Sequence, residues 1–455
     1  MGIFTSRLPK PSAQPVQGIP AEEQALIPIL LSGSGRTGST ALMSLLGTDR
    51  RVAFDREYPF ESRYLTYILK FALLTQYPDF FPFIEGEKLF DFNYLGVGGP
   101  VPDVRYLPSS RPEAYLSRKP LQNWASQMWR VFSSGVVEGN PTAKFYAEKA
   151  PVWVAPLART FLNCYTVYNV RDPRDIFLSA NAFMRKRSQI GFGRRKGDTD
   201  LDYARALALA FVNTFEQYYA DRIRTDIVLI RYEDFVNESE RIRAQLQELM
   251  GLELSDFDNQ HFEFHRTADD LPSTLNRWER EALPTAVLEF FESYLREEIQ
   301  QLGYRLTSTG LNGSPRFVSF AKNQIKLSDL SCSGDGAMIQ EQDGAVVKIR
   351  GVDFWVVLPL EPFSAQEVRE IWISIRGDIG DVFSLYWRSE FTNFSENKVW
   401  HLRYCPWIGA CVLSFPVHEH PEWKGTIYKL RLDLFNSVKA PHKGKGFIRW
   451  VRLVT

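Results

Sequence analysis

The segment SGSGRTGST, residues 32–40, decides the fold of the first half of the chain. It follows the apolar run ALIPILL and precedes ALMSLLG, so it joins a predicted buried strand to a predicted helix. Gly33 and Gly38 have the spacing of the phosphate-loop pattern G-x-x-x-x-G-K-[ST], but Ser39 stands where that pattern has lysine, and Arg36 lies inside the loop. A strand, a glycine turn and a helix N-terminus together predict a backbone cradle for an anion.

Two further strand–helix units follow this loop. CYTVYNV (164–170) and DIVLIRY (226–232) read as buried strands, and each precedes a predicted helix, PRDIFLSANAFMRKR (173–187) and ESERIRAQLQELMG (238–251). This alternation predicts an α/β fold, a P-loop-type three-layer domain with a central parallel sheet between helices. Ligands of such sheets bind at the carboxyl ends of the strands.

The pattern changes after the turn-rich segment LTSTGLNGSPR (306–316). Short alternating segments rich in Val, Ile and aromatic residues follow, which predicts an all-β, jelly-roll-like sandwich. We therefore expect a flexible arm at 1–24, a first domain at 25–306, a linker at 307–316 and the sandwich at 317–455.

Net charge, cysteine spacing and the length of apolar runs exclude several classes of function. The formal net charge is zero, which argues against a nucleic-acid surface. The four cysteines form no C-x-x-C pair, which suits a reducing compartment. The N-terminal residues lack the apolar run of a secretory signal, and no run has the length of a transmembrane segment. These features predict a cytoplasmic protein and favour a bacterial source.

A second anion site is suggested where the second predicted strand ends, in VRDPRDIFLSANAF. Arg171 lies at the strand end, and Ser179 lies eight residues on, within the next helix. An arginine fork and a hydroxyl there suit a second phosphate, although an arginine at a strand end is also often part of a structural ion pair. Without the lysine of the phosphate loop, nucleoside triphosphate chemistry is disfavoured.

Together these segments resemble the PAPS-dependent sulfotransferases, where PAPS is 3′-phosphoadenosine 5′-phosphosulfate. GRTGST is similar to the family's 5′-phosphosulfate loop, and RDPRDIFLS is similar to its 3′-phosphate segment. EKAP (148–151), IRYEDF (230–235) and LNRWERE (275–281) also resemble recurrent family segments. The arginine version of the loop looks closer to the tyrosylprotein and carbohydrate branches than to the small-molecule branch, which usually has lysine there.

The resemblance implies a set of site residues. Arg171 and Ser179 would hold the 3′-phosphate, Tyr232 would line the adenine or acceptor pocket, and Lys149 would neutralise charge on the sulfuryl oxygens together with Arg36. PAPS would be the donor, PAP (the 3′,5′-bisphosphate) the product, and no metal would take part. The 5′-phosphosulfate would be held by Gly35, Arg36, Thr37, Gly38, Ser39 and Thr40.

Sulfuryl transfer also needs a base for the acceptor hydroxyl. The small-molecule branch uses a histidine, but no histidine precedes His261 here. Glu57 is similar in position to the catalytic glutamate of the tyrosylprotein branch. Glu61 is the competitor, because it lies four residues on and would share a face with Glu57 if the segment were helical. Alternatively, Glu57 and Glu61 are both exposed carboxylates in the first turn of a helix, and neither is the base.

The tryptophans of the second half bear on the acceptor. Seven of eleven lie after residue 317, and aromatic faces can stack on sugars, although most are expected to be core. This favours a glycan or glycolipid acceptor over peptide tyrosine. A homodimer is one candidate for the oligomeric state. Two rivals stay open, a P-loop nucleotide kinase or NTPase, and a non-catalytic glycan-binding protein with a relic nucleotide site.

Overall fold

The computed structural model describes residues 25–57, 59–76, 118–256, 267, 272–307, 317–321, 327, 330–351, 353–377, 382–389, 393–403, 408–436 and 444–455. The predicted arm at 1–24 and residues 308–316 of the predicted linker lie outside these ranges.

Five parallel strands form the central sheet of the first half. Across the sheet their order is β2-β3-β1-β4-β5, and every pairing is parallel. The carboxyl ends of all five strands therefore lie on the same side, which we call the carboxyl end of the sheet. The strands are β1 (Ile27–Ser32), β2 (Val52–Ala53), β3 (Phe145–Ala150), β4 (Tyr165–Val170) and β5 (Ile227–Arg231).

Helices cover both faces of this sheet. They are α1 (Ser39–Leu46), α2 (Tyr64–Gln76), α3 (Arg118–Gly139), α4 (Val154–Ala158), α5 (Pro173–Arg187), α6 (Asp200–Asp221), α7 (Tyr232–Asn237), α8 (Ser239–Met250), α9 (Arg277–Arg280), α10 (Thr285–Tyr294) and α11 (Arg296–Gln301). One apolar cluster packs α1 and α8 against the face that carries Ile29 and Leu31. Another packs α2, α3 and α4 against the face that carries Leu30 and Tyr146. The three layers confirm the predicted fold class.

The second half is an antiparallel all-β region. Its strands are β6 (Phe317–Ser319), β7 (Ser331–Cys332), β8 (Gly336–Glu341), β9 (Gly344–Ile349), β10 (Trp355–Val357), β11 (Phe363–Ser364), β12 (Glu370–Gly377), β13 (Val382–Arg388), β14 (Val399–Arg403), β15 (Cys411–Phe415), β16 (Thr426–Ile427), β17 (Lys429–Asn436) and β18 (Gly444–Val454). One sheet has the order β15-β12-β18-β9-β8, with β6 also paired to β18, a second has the order β14-β13-β17-β10-β7, and β11 pairs with β16 in a separate two-stranded sheet. Buried residues of both sheets belong to one apolar core, as predicted for a sandwich.

The two halves meet where α6, α10 and α11 pack on the six-stranded sheet, a contact we call the junction. Glu216 of α6 accepts hydrogen bonds from Arg449 Nη1 at 2.5 Å and from Trp450 Nε1 at 3.1 Å. Arg452 Nη2 donates to Glu298 Oε1 at 2.7 Å. The indole rings of Trp372 and Trp450 at this contact are fully buried. They pack the junction and cannot stack on a sugar.

No helix in the described ranges combines the length and apolar character needed to cross a bilayer.

Candidate active site

Four of the predicted site segments meet at the carboxyl end of the parallel sheet. The loop of residues 33–38 leaves β1, and Lys149 is the fifth residue of β3. Arg171 directly follows β4, and Tyr232 directly follows β5 as the first residue of α7. Parallel strands bring these positions together because all their carboxyl ends point the same way.

The loop has a backbone that requires glycine at one position. Gly38 has φ 86°, and a Cβ there would lie 2.5 Å from Cδ2 of Tyr232. Arg36 also has a positive φ of 70°. Helix α1 begins at Ser39, and the N–H groups of a first helical turn have no partner within the helix. The loop therefore presents backbone donors and the positive end of a helix dipole to an anion.

Thr37 fixes the loop with its side chain. Its hydroxyl donates to the carbonyl oxygen of Ser34 at 2.8 Å and accepts from Nδ2 of Asn169, and the residue is 2% exposed. Thr37 can thus offer an anion only its backbone N–H. Asn169, which sequence analysis missed, ties the loop to β4. A buried polar residue inside an apolar strand was the available signal.

Lys149 brings a cation to the start of α1 from a neighbouring strand. Its Nζ donates to Thr40 Oγ1 at 2.8 Å and to the carbonyl oxygen of Pro59 at 2.7 Å. Burial lowers the pKa of Lys149 to about 8, while the nearby Glu61 carboxylate opposes that shift. An ammonium group therefore stands beside a loop whose own lysine position holds serine.

The two candidate bases lie between β2 and α2, in a segment whose described residues are not helical. Glu61 Oε1 is 3.5 Å from Lys149 Nζ. Glu57 is exposed, and its backbone N–H donates to Asp55 Oδ1 at 3.0 Å. The condition for the two glutamates to share a helix face is not met, because α2 begins only at Tyr64.

Glu148, the neighbour of Lys149, points to the opposite face of β3. Its fully buried carboxylate accepts from the backbone N–H groups of Leu65 and Thr66 at 3.0 Å each, and from the Thr66 hydroxyl at 2.6 Å. It thereby anchors the first turn of α2, the helix that follows Glu61. Burial raises the pKa of Glu148 to about 7. Sequence analysis assigned this residue no role.

Arg171 contacts the loop of residues 33–38 from the end of β4. Its Nη1 donates to the carbonyl oxygen of Arg36 at 3.2 Å, and its Nη2 donates to the carbonyl oxygen of Thr274 at 2.5 Å. Its guanidinium carbon lies 4.5 Å from the centre of the Tyr232 ring. Nε of Arg171 is buried and has no hydrogen-bond partner among the described residues.

The side chains of Arg36 and Ser179 contact each other. Arg36 Nε donates to Ser179 Oγ at 3.1 Å, and the guanidinium carbon lies 4.8 Å from the centre of the Phe183 ring. Ser179 is 2% exposed. The predicted 5′ and 3′ anion segments are thus joined by a direct hydrogen bond.

Residues 272–281 close the site on the side of β5. Tyr232 Oη and Thr274 Oγ1 lie 2.9 Å apart and share a hydrogen bond. The ring of Trp278 lies 3.7 Å from the guanidinium carbon of Arg174, so Trp278 packs on a buried ion pair. The site as a whole gathers Arg36, Lys149 and Arg171 around a helix N-terminus, an arrangement suited to a ligand with several negative charges.

No group of three or more His, Cys, Asp or Glu residues in the described part of the chain is arranged to hold a metal ion.

The family model described as "Sulfotransferase family" matches residues 28–256, which include the loop, Lys149, Arg171 and Tyr232. No curated protein matches the chain.

Among solved structures, the chain is similar to the sulfotransferase domain from the curacin biosynthetic pathway, with 15% identity, coverage of 62% of this chain and 99% of that one, and a TM-score of 0.33. It is similar to a sulfotransferase from Mycobacterium avium, with 13% identity, coverage of 62% and 78%, and a TM-score of 0.33. It is also similar to a low-affinity xylan-binding module from Roseburia intestinalis, with 14% identity, coverage of 31% and 95%, and a TM-score of 0.23. The assignment rests on the family model, whose match spans half of the 455 residues: the chain belongs to the sulfotransferase family.

Proposed function

We propose that the protein transfers the sulfuryl group of PAPS to a hydroxyl group of a carbohydrate or glycolipid. The observation that carries this proposal is the 2.8 Å contact between Lys149 Nζ and Thr40 Oγ1. The loop has serine at the position of the lysine that serves triphosphates, and a cation from β3 lies beside the start of α1 instead. That position suits charge stabilisation on a group attached to the 5′-phosphate.

The donor would be held at both ends. The buried Nε of Arg171, without a partner among described residues, fits a ligand with a further phosphate. Arg171 and Ser179 would hold the 3′-phosphate, and Tyr232 would flank the nucleotide. The proposed 5′ side consists of Gly35, Arg36, Thr37, Gly38, Ser39 and Thr40.

PAPS supplies an activated sulfuryl group: the bond from sulfur to the bridging oxygen breaks, the acceptor oxygen bonds to sulfur, and the electron pair leaves with PAP. Arg36 and Lys149 would stabilise negative charge on the bridging and sulfuryl oxygens. A carboxylate would take the proton of the acceptor hydroxyl. The residues of the site require no metal for these roles.

Glu57 is the proposed base, and Glu61 is the competing candidate. Glu57 and Glu61 are both exposed and able to meet an acceptor from solvent, but Glu61 is also paired with the Lys149 ammonium group at 3.5 Å. Glu57→Gln and Glu61→Gln separate these roles. Loss of the base should lower kcat by about 10²–10⁴-fold with unchanged PAP affinity. If only Glu61→Gln has this effect, Glu61 is the base.

The proposal of a sugar acceptor draws support from the second half of the chain, on the outer face of the sheet with the order β14-β13-β17-β10-β7. Trp355 and Tyr386 are on the face opposite Val356 and Leu385, because side chains alternate along a strand; Trp355 is partly exposed, whereas Tyr386 is only 8% exposed. The Arg431 guanidinium carbon lies 5.1 Å and 4.9 Å from their ring centres. Of these two rings only Trp355 is accessible, and a partly exposed tryptophan beside a guanidinium group suits contact with a sugar ring.

This face is the reason to propose glycan binding for residues 317–455, beside a sulfotransferase domain at 25–306. The cytoplasmic location, the bacterial source and the homodimer stay predictions from the sequence.

Calorimetric titration of PAP without magnesium tests the donor. We expect wild-type protein to bind PAP, Arg171→Ala to bind it at least tenfold more weakly, and Arg224→Ala, at a surface ion pair, to bind it normally. Thermal melting of each variant separates lost binding from lost folding. Tighter binding of ATP with magnesium than of PAP would favour the kinase rival.

PAP release from PAPS in the presence of a panel of neutral oligosaccharides and glycolipids tests the acceptor. Turnover with a sugar supports the proposal, and turnover only with tyrosine peptides contradicts it. Sugar binding without any turnover would favour the non-catalytic rival.

A further inference from the structure

Two phenylalanine rings lie against the guanidinium group of Arg36. The guanidinium carbon is 4.8 Å from the centre of the Phe183 ring and 5.8 Å from the centre of the Phe192 ring. The two rings meet edge to face, with their centres 5.4 Å apart. Phe183 belongs to α5, whereas Phe192 belongs to the segment between α5 and α6. Both rings are within the distance of about 6 Å at which an aromatic face attracts a cation.

Phe192 also contacts the backbone of the loop that carries Arg36. A Cβ atom at Gly35 would lie 2.6 Å from Cδ1 of Phe192, so the ring rests directly on the glycine. The φ of Gly35 lies outside the left-handed region, and glycine is therefore needed here for space and not for its backbone conformation. Any larger residue at position 35 would displace the Phe192 ring.

The segment around Phe192 has an uncommon backbone conformation that its neighbours maintain. Phe192 has a φ of 55°, in the left-handed region that bulky residues seldom adopt. The turn is closed by a hydrogen bond from the Arg194 N–H to the carbonyl oxygen of Gly191 at 3.1 Å. Arg194 also fixes the turn to α5 and α6, because Nη1 donates to Asn181 Oδ1 at 2.7 Å and Nη2 donates to Asp200 Oδ1 at 3.0 Å. A strained position that its surroundings hold in place is typical of a functional segment.

We infer that Phe183 and Phe192 form an aromatic clamp that positions the Arg36 guanidinium group for sulfuryl transfer. A free arginine side chain adopts many rotamers, and a cation stabilises a transition state best when it is already in position. The rings hold the flat guanidinium group by its faces and accept none of its N–H donors in conventional hydrogen bonds. Phe183 and Phe192 are thus positioning residues that act through Arg36. This inference rests on the proposed function, because it takes Arg36 to act on the transferred group.

The clamp should affect turnover more than donor affinity. PAP lacks the sulfuryl group on which Arg36 is proposed to act, so PAP binding depends little on where the guanidinium group is held. The transition state depends on it directly, because negative charge develops on the bridging oxygen. Loss of one cation–π contact at a partly buried site is enough to change a rate by about tenfold.

Kinetics of PAP release from PAPS, to a sugar of the panel above or to water, test the clamp together with calorimetric titration of PAP. Phe192→Leu keeps an apolar side chain on Gly35 but removes the aromatic face. We expect its kcat to fall by about tenfold and its PAP affinity to stay within about twofold of wild type, whereas Phe192→Tyr should keep kcat. In an Arg36→Ala background, Phe192→Leu should cause no further loss of kcat. Phe161→Leu, at a partly buried ring that packs on the cluster of α2 and α3, is the matched control and should keep both values.

Gly35→Ala tests the same contact from the side of the loop. Its methyl group displaces the Phe192 ring, so kcat should fall by about tenfold as in Phe192→Leu. In a Phe192→Ala background, where the methyl group has room, Gly35→Ala should cause no further loss. Thermal melting of each variant separates lost turnover from lost folding.

Three results would overturn the clamp in a wild-type protein that binds PAP. The first is an unchanged kcat in Phe192→Leu. The second is an equal loss of kcat from Phe192→Leu with and without the Arg36 side chain, because the ring would then act through another group. The third is a loss of PAP affinity as large as the loss of kcat, because the ring would then serve donor binding. A wild-type protein that binds no PAP would overturn the proposed function itself.

Discussion

The junction and the carboxyl end of the parallel sheet both bury cationic side chains, but they surround them differently. At the junction, Arg449 and Arg452 each meet a carboxylate, at 2.5 Å and 2.7 Å. At the sheet, Lys149 bonds a hydroxyl and a carbonyl group, with the Glu61 carboxylate at 3.5 Å. Arg171 donates to two carbonyl groups and has the buried Asp175 carboxylate at 3.9 Å.

The difference distinguishes structural charge from charge kept for a ligand. A carboxylate cancels the charge of its partner, whereas a carbonyl or hydroxyl oxygen fixes the position of a cation and leaves its net charge. The junction is therefore neutralised before any ligand arrives. At the carboxyl end of the sheet the carboxylates lie farther from the cations, at 3.5 Å from Lys149 and 3.9 Å from Arg171, so they compensate the positive charge less than the junction carboxylates do.

The largest effect is expected at the junction. Glu216→Ala leaves the Arg449 guanidinium buried without its carboxylate and should lower the free energy of unfolding by about 3–5 kcal/mol. Asp256→Ala, which removes an almost fully exposed carboxylate paired with Arg243, should cost about 1 kcal/mol or less. Denaturant unfolding measures the free energy of unfolding of both variants. Equal losses of stability would contradict the distinction between the buried junction pair and an exposed pair.

The next effect concerns turnover at the sheet. Lys149→Ala should lower kcat by about 10²–10³-fold, because it removes a preorganised cation from the transferred group. Lys144→Ala, at the exposed residue just before β3, is the control and should keep full activity. The measurement is PAP release at saturating PAPS. A variant that loses PAP affinity but keeps kcat would show that Lys149 serves binding only.

The pH dependence of turnover also tests the role of the Lys149 ammonium group. Burial lowers the pKa of Lys149 to about 8, so the ammonium form persists at neutral pH and is lost as the pH rises through about 8. Above that value kcat should fall by about tenfold per pH unit. Lys149→Arg keeps its charge and should show no such decline, which a pH–rate profile of both proteins measures. Identical profiles would contradict this role.

The smallest effect concerns the anchor of α2. Burial raises the pKa of Glu148 from 4.5 to about 7, so the folded protein binds this proton more tightly than the unfolded chain does. The resulting stabilisation is complete below about pH 4.5 and is lost as the pH rises through about 7. The melting temperature of wild type should therefore fall relative to Glu148→Gln across this range. Glu138→Gln, on the exposed surface of α3, should melt in parallel with wild type.

The sequence predicted the elements whose signals are local. Helix α5 was expected at 173–187 and is Pro173–Arg187, because proline at its first turn and a run of basic residues mark its two ends. Strand β3 was missed although all six of its residues are buried. Glu148 and Lys149 interrupt its apolar pattern, and the groups that satisfy them lie 82–109 residues away in sequence.

The site was predicted as a set of segments but not as a set of contacts. The resemblance brought together the loop, Lys149, Arg171, Ser179 and Tyr232, and the parallel sheet explains why they converge. The contact between Arg36 and Ser179 depends on how α5 packs beside the loop, which no local pattern encodes. The placement of Glu61 beside Lys149 likewise depends on the irregular residues between β2 and α2, whose path no local sequence pattern predicts.

The ion pair between Glu216 and Arg449 joins residues 233 positions apart. At roughly 5–20 residues per second, a ribosome needs on the order of 10–50 s to synthesise the chain between them. During that time Glu216 faces water and is ionised, since an exposed glutamate has a pKa near 4.3. The carboxylate that ends as a buried partner thus begins as an exposed charge on α6, and it becomes structural only when β18 arrives to cover it.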